Sequence, residues 1–148
     1  MAEQPFFEQV EPGDEFEETW TAQTGQVAAY VEMNMGGAGA AGGRFTSQEG
    51  AEAVGMPKPI VPGVMSMCVL TRLVTDWMGP RGTLRYIDVD FRRPVQHGDQ
   101  IRALALVTDA DEEASGAGVV KLDVYLENER GERPLQGVAI VELPRQTA

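Results

Sequence analysis

Residues 64–78, VMSMCVLTRLVTDWM, decide how the rest of the chain is read. Apolar positions including Val64, Met65, Met67, Cys68, Leu70, Leu73, Val74, Trp77 and Met78 cover most of a helical surface. The polar residues are few: Ser66, Thr71, Arg72, Thr75 and Asp76. A helix this apolar must be covered nearly all round. Cys68 falls inside the run and is therefore expected to pack in the core. Gly79-Pro80 ends the helix, since glycine supplies the cap and proline cannot continue it.

Everything downstream reads as strand. LRYIDVDFRRPV (84–95), IRALALVTDAD (101–111), VVKLDVYLENERGE (119–132) and LQGVAIVELP (135–144) are rich in β-formers, and several alternate apolar and polar residues. The links between them are short and carry Gly, Asp or Asn, which predicts antiparallel meander pairing. His97 lies in one of these links, RRPVQHGDQ, and is expected to be a polar turn residue.

Upstream, GDEFEETWT (13–21) alternates around Phe16 and Trp20 and predicts a first strand. Thr24 can cap a helix carrying Val27, Tyr30 and Val31, which should end near Met35. GGAGAAGG follows at 36–43, where five of eight residues are glycine, so neither helix nor strand is favoured. Thr46 and Glu49 have capping-box spacing for a short helix that should stop at Gly55. Pro57, Pro59 and Pro62 then hold the chain extended up to Gly63. The predicted class is α+β, with one curved antiparallel sheet wrapped around one long helix. A single sheet leaves part of that helix bare, which predicts a dimer.

The 148 residues fit a single domain spanning 1–148. A net charge of −11 repels nucleic-acid phosphates and anionic lipid, so neither is an expected partner. The acidic N-terminal stretch is not a signal peptide, and no stretch approaches the roughly 20 apolar residues that span a bilayer. One cysteine excludes an internal disulfide and suits the cytoplasm. With Cys68 and His97 as the only soft ligands, no metal site is expected, and no cofactor is called for.

The fragments VEPGDEFEETWTAQTGQVAAYVEMN, PKPIVPGVMSM and IDVDFRRPVQHGDQI resemble the MaoC-like family of (R)-specific enoyl-CoA hydratases and dehydratases, which have the hotdog fold. Phe91, Pro94, Val95, Gly98 and Asp99 fit that family's F-x-x-P-V-x-x-G-D pattern. LVTDWMGP (73–80) resembles small subunits of heteromeric hydratases that shorten steroid side chains in actinobacteria. The resemblance implies an acid–base pair from a G-D-x-N-P-x-H motif, followed by I-V-H-G. The aspartate and histidine handle water and its proton. A backbone N–H at the helix start polarises the thioester oxygen.

This chain departs from that pattern. Counted back from Ile60-Val61-Pro62-Gly63, the family aspartate falls on Ala40 and the histidine on Phe45. Pro62 replaces the second histidine, while Gly63 keeps the helix-start glycine. No aspartate lies between Asp14 and Asp76, and the one histidine is His97. The catalytic residues are therefore unassigned. The resemblance places Phe45, Pro62, Gly63, Val64 and Asn34 around the substrate. Glu32 and Glu49 are the remaining acid or base candidates, although Glu49 reads first as a capping-box partner and Glu32 as a surface or helix-end residue. Arg92-Arg93 is a basic pair that can meet CoA phosphates or form surface ion pairs, and Met33, Met35, Met65, Met67 and Met78 are expected around the pocket.

Three readings stay open. One is a non-catalytic half of a heteromeric hydratase or dehydratase acting on acyl thioesters, steroid-type ones included. Another is a homodimeric enzyme of changed chemistry: a cyclase, isomerase or thioesterase. The last is a module that binds acyl or other bulky apolar ligands without catalysis. The partner is thus an acyl thioester or apolar small molecule, together with a second MaoC-like chain, identical or homologous.

Overall fold

A computed structural model describes residues 3–35 and 43–146, with Met35 described in its backbone only. After a short 3-10 turn at Phe7–Gln9 come strand β1 (Glu15–Thr21) and helices α1 (Thr24–Met35), α2 (Gln48–Ala53) and α3 (Gly63–Met78). Strands β2 (Thr83–Phe91), β3 (Gln100–Glu112), β4 (Gly118–Glu127) and β5 (Leu135–Leu143) complete the chain. The elements match the sequence expectation to within a few residues at most ends. β2 stops at Phe91, ahead of Pro94, which lacks the N–H a ladder needs.

The five strands form one antiparallel sheet in the order β1-β3-β4-β5-β2. β3, β4 and β5 are a meander, as expected. β2 is not part of it: it pairs with β5, from Thr83 opposite Glu142 to Phe91 opposite Leu135, and β1 takes the place beside β3. The β2–β3 link is short, yet its eight residues, 92–99, reach about 26 Å when extended. Passing two intervening strands needs only ~14 Å. β2 and β1 are the sheet edges, and Tyr86 and Phe91 of β2 are half exposed.

The core lies between the sheet and α3. Val69, Leu70, Leu73 and Val74 pack against Ala103, Ala105, Leu122, Val124, Ala139 and Val141. Phe16 of β1 stacks on Trp77 of α3, with ring centroids 4.6 Å apart and planes 7° apart. In the single chain the cover is incomplete. Val64, Cys68, Arg72 and Asp76 form an exposed stripe at four-residue spacing. Cys68 is thus at the surface and not in the core, because it falls on the one face of α3 that the sheet does not reach.

Candidate functional site

The amino end of α3 is fixed by strand-like pairing. Val61 N–H donates to the Val95 carbonyl (2.6 Å), and His97 N–H donates to the Pro59 carbonyl (2.9 Å). Ile60 bridges Gln96 and donates its N–H to the Arg44 carbonyl at 3.0 Å. The F-x-x-P-V-x-x-G-D segment therefore acts as a clamp on residues 59–61. Gly98 has φ +86°, which a side chain would strain, and buried Asp99 accepts the Gln96 N–H at 2.9 Å.

A cleft of about 390 Å³ opens where this clamp, the start of α3 and the end of β2 meet. Phe45, Ile60, Val61 and Phe91 line it together with Gly63 and Ser66 from the start of α3. Arg44, Arg92 and Arg93 stand in its lining, so it is a cationic spot on an acidic molecule. The Arg44 guanidinium lies 4.5 Å over the Phe45 ring. Arg93 reaches Glu132 at 2.8 Å. The Glu132 carboxyl is held below its usual range by hydrogen bonds from Arg130 and Asn128, with a smaller effect from the Arg93 charge. Turned so that its amide oxygen faces the guanidinium, Gln136 accepts from Arg92 Nε (3.2 Å) and Nη2 (3.0 Å).

Pro62, the residue before α3, has no side-chain donor or acceptor, so the helix begins without a cap. The first bond that closes it runs from Ser66 N–H to the Pro62 carbonyl at 3.2 Å. The N–H groups of Gly63, Val64 and Met65 consequently have no partner within the helix. Gly63 is also closely approached by a side chain. A Cβ there would stand 3.1 Å from Phe91 Cε1, tighter than ordinary packing.

The structure brings together some of the expected site residues and separates others. Phe45 and Gly63 line the cleft, and Pro62 is buried beneath it. Val64 is 63% exposed on the outer face of α3. Asn34 is exposed and spends its amide N–H on the Tyr30 carbonyl at 3.0 Å. Glu32 and Glu49 are exposed and do not line the cleft. The α2 cap is Ser47 rather than Thr46: its Oγ accepts Gly50 N–H at 2.9 Å, which leaves Glu49 in the first turn of the helix. None of the described methionine side chains lines the cleft. Met33 is 84% exposed, and Met65, Met67 and Met78 pack on the core edge. Ala40 lies outside the described residues.

His97 is not a solvated turn residue. It is 7% exposed, and Nε2 is buried without a partner. Burial pushes its pKa below the ordinary value, and backbone groups of Phe45 and Ile60 offset part of that effect. It sits behind the wall that faces the cleft, not in its lining. The pairing of 95–97 with 59–61 draws it inward, and nothing in its local sequence announces this. Ser66, Phe91 and Arg44 were also missed as site residues. The usable signal for Ser66 was its spacing of three from Gly63, which puts both on one helix face.

A larger hollow, about 710 Å³, lies at the other end of α3 between Phe16, Trp77 and Pro80. Glu17, Glu18 and Asp76 line it, so it repels anions and is the poorer place for a phosphate-bearing ligand.

A model of the MaoC like domain matches residues 46–128. Among curated protein sequences none matches. Solved structures do. An (R)-hydratase from A. caviae involved in PHA biosynthesis superposes with a TM-score of 0.79 at 20% identity, covering 91% of this chain and 98% of the other. A chain of the ChsH1-ChsH2 complex from Mycobacterium tuberculosis gives 0.75 at 16%, covering 90% and 98%. A chain of the C-terminally truncated HadBC (3R-hydroxyacyl-ACP dehydratase) complex from the same organism gives 0.68 at 17%, covering 88% and 96%. At these identities the likeness shows the fold, which is the hotdog fold.

Proposed function

Because the chain belongs to the MaoC-like domain family, we propose that it is the non-catalytic subunit of a heteromeric enoyl-thioester hydratase or dehydratase. A homologous partner supplies the aspartate and histidine, and this chain supplies half of the assembly and a ligand cleft. The observation that carries the reading is the composition of that cleft. Counted along the sequence, the family histidine falls on Phe45, and among the described residues no Asp, Glu or His lines the cleft. Residues 36–42, GGAGAAG, add no ionisable side chain in the sequence.

Hydration of a 2-enoyl thioester needs a group that activates water and a group that returns the proton to carbon. Arg44, Arg92 and Arg93 offer hydrogen-bond donors and no acceptor, so they do neither. What this chain retains is binding: an uncapped helix start, an apolar wall and three cations. Two further features support a second chain. The α3 stripe at Val64 and Cys68 is bare, and β2 is an open sheet edge with Tyr86 and Phe91 exposed. That two of the similar structures are complexes supports the heteromeric form over a homodimer.

The test is reconstitution with a MaoC-like chain that has both catalytic residues. The mixed complex should hydrate crotonyl-CoA, and replacing the partner's histidine should abolish turnover while Phe45→Leu here should not. Turnover that survives loss of the partner's histidine overturns the proposal.

A further inference from the structure

We infer that Ser66 is a ligand-binding residue: its hydroxyl and the free N–H groups at the start of α3 hold one carbonyl oxygen of the ligand. The inference rests on the thioester reading above and adds a residue to it. Ser66 is 1% exposed, and it lines the cleft. Among the described residues its hydroxyl has no hydrogen-bond partner, although its backbone N–H donates to Pro62. A serine this deep in a helix ordinarily returns its hydroxyl to the carbonyl four residues back, or is replaced by alanine. Here the hydroxyl has no partner among the described residues, and the residue lines the cleft. In the cleft, water satisfies it in the free chain and a ligand oxygen can take that place.

Its direction follows from helix geometry. Side chains on a helix lean toward the amino end, so Ser66 stands over the first turn, where Gly63, Val64 and Met65 have unused N–H groups. The helix start adds a partial positive charge. Phe45 and Phe91 also line the cleft and give it an apolar surface beside this position. A hydroxyl and backbone N–H groups converging on one point suit a single oxygen with two lone pairs. Ser66 would thus orient the thioester carbonyl for chemistry done by groups outside this chain.

The experiment compares two ligands on the purified chain alone, titrated by calorimetry. Butyryl-CoA is a saturated thioester that has no double bond to hydrate, and S-butyl-CoA is the thioether lacking the carbonyl oxygen. The chain should bind butyryl-CoA more tightly than S-butyl-CoA. Ser66→Ala should weaken butyryl-CoA by about ten-fold, leave S-butyl-CoA unchanged, and keep the melting temperature. Equal affinity of Ser66→Ala for butyryl-CoA, a parallel loss of both ligands, or no butyryl-CoA binding by the unmodified chain would each overturn the inference. No turnover is read, so failure here leaves the question of a catalytic partner untouched, and failure of reconstitution leaves Ser66 untouched.

Discussion

The ring of Phe91, at the end of β2, lies directly against the Cα of Gly63, at the start of α3. A Cβ on Gly63 would approach Phe91 Cε1 to 3.1 Å. Both residues line the cleft, so their contact closes it on one side.

Gly63→Ala therefore tests the cleft directly. Phe91 is 55% exposed and free to swing outward, and alanine favours the helix, so stability should change by less than about 1 kcal/mol. The added methyl and the displaced ring should weaken butyryl-CoA by about ten-fold or more. Thermal melting and calorimetry read the two effects separately. Unchanged affinity would mean that the ligand does not sit beside these residues.

His97 predicts a pH dependence of stability. Its pKa is lowered from the ordinary 6.5, chiefly by burial, so the folded chain binds fewer protons than the unfolded chain just below that value. Unfolding free energy should be at its full value above about 6.5 and should fall as pH drops toward the folded pKa. His97→Gln should remove this dependence. Urea titrations between pH 5.5 and 7.5 check it. Parallel curves for the two proteins would contradict the burial of a neutral ring.

The Phe16–Trp77 stack ties β1 to the carboxyl end of α3, far from the cleft. Trp77→Ala should cost about 2–4 kcal/mol, from lost burial and the lost aromatic pair. Relative ligand affinity should be preserved in the folded fraction. A loss under 1 kcal/mol in chemical denaturation would mean that the stack contributes little to the fold.

The sequence carried most of the fold because local signals and the global pattern agreed. The α3 pattern, the Gly79 stop and the alternating strands each pointed to a sheet wrapped on a helix, and Gly79 indeed turns the chain at φ +72°. What escaped was set by non-local pairing. The sequence placed β2 in a meander beside β3, whereas it pairs with β5, because an eight-residue link reaches either neighbour. His97 looked solvated until the pairing of 95–97 with 59–61 carried it inward. Cys68 looked buried because a strongly apolar helix does not reveal which face the sheet leaves bare. At the site, Phe45 and Gly63 were legible through the resemblance, while Ser66 was read as just another polar residue in an apolar helix. Its role depends on a hydroxyl left without a partner, and only three-dimensional placement reveals that.

The central claim is that this chain holds a thioester but cannot move the proton. The direct measurement is hydration of crotonyl-CoA by the purified chain alone at neutral pH. The account predicts no rate above buffer at any chain concentration. Hydration proportional to the concentration of this chain, in a preparation free of any other MaoC-like protein, would contradict it.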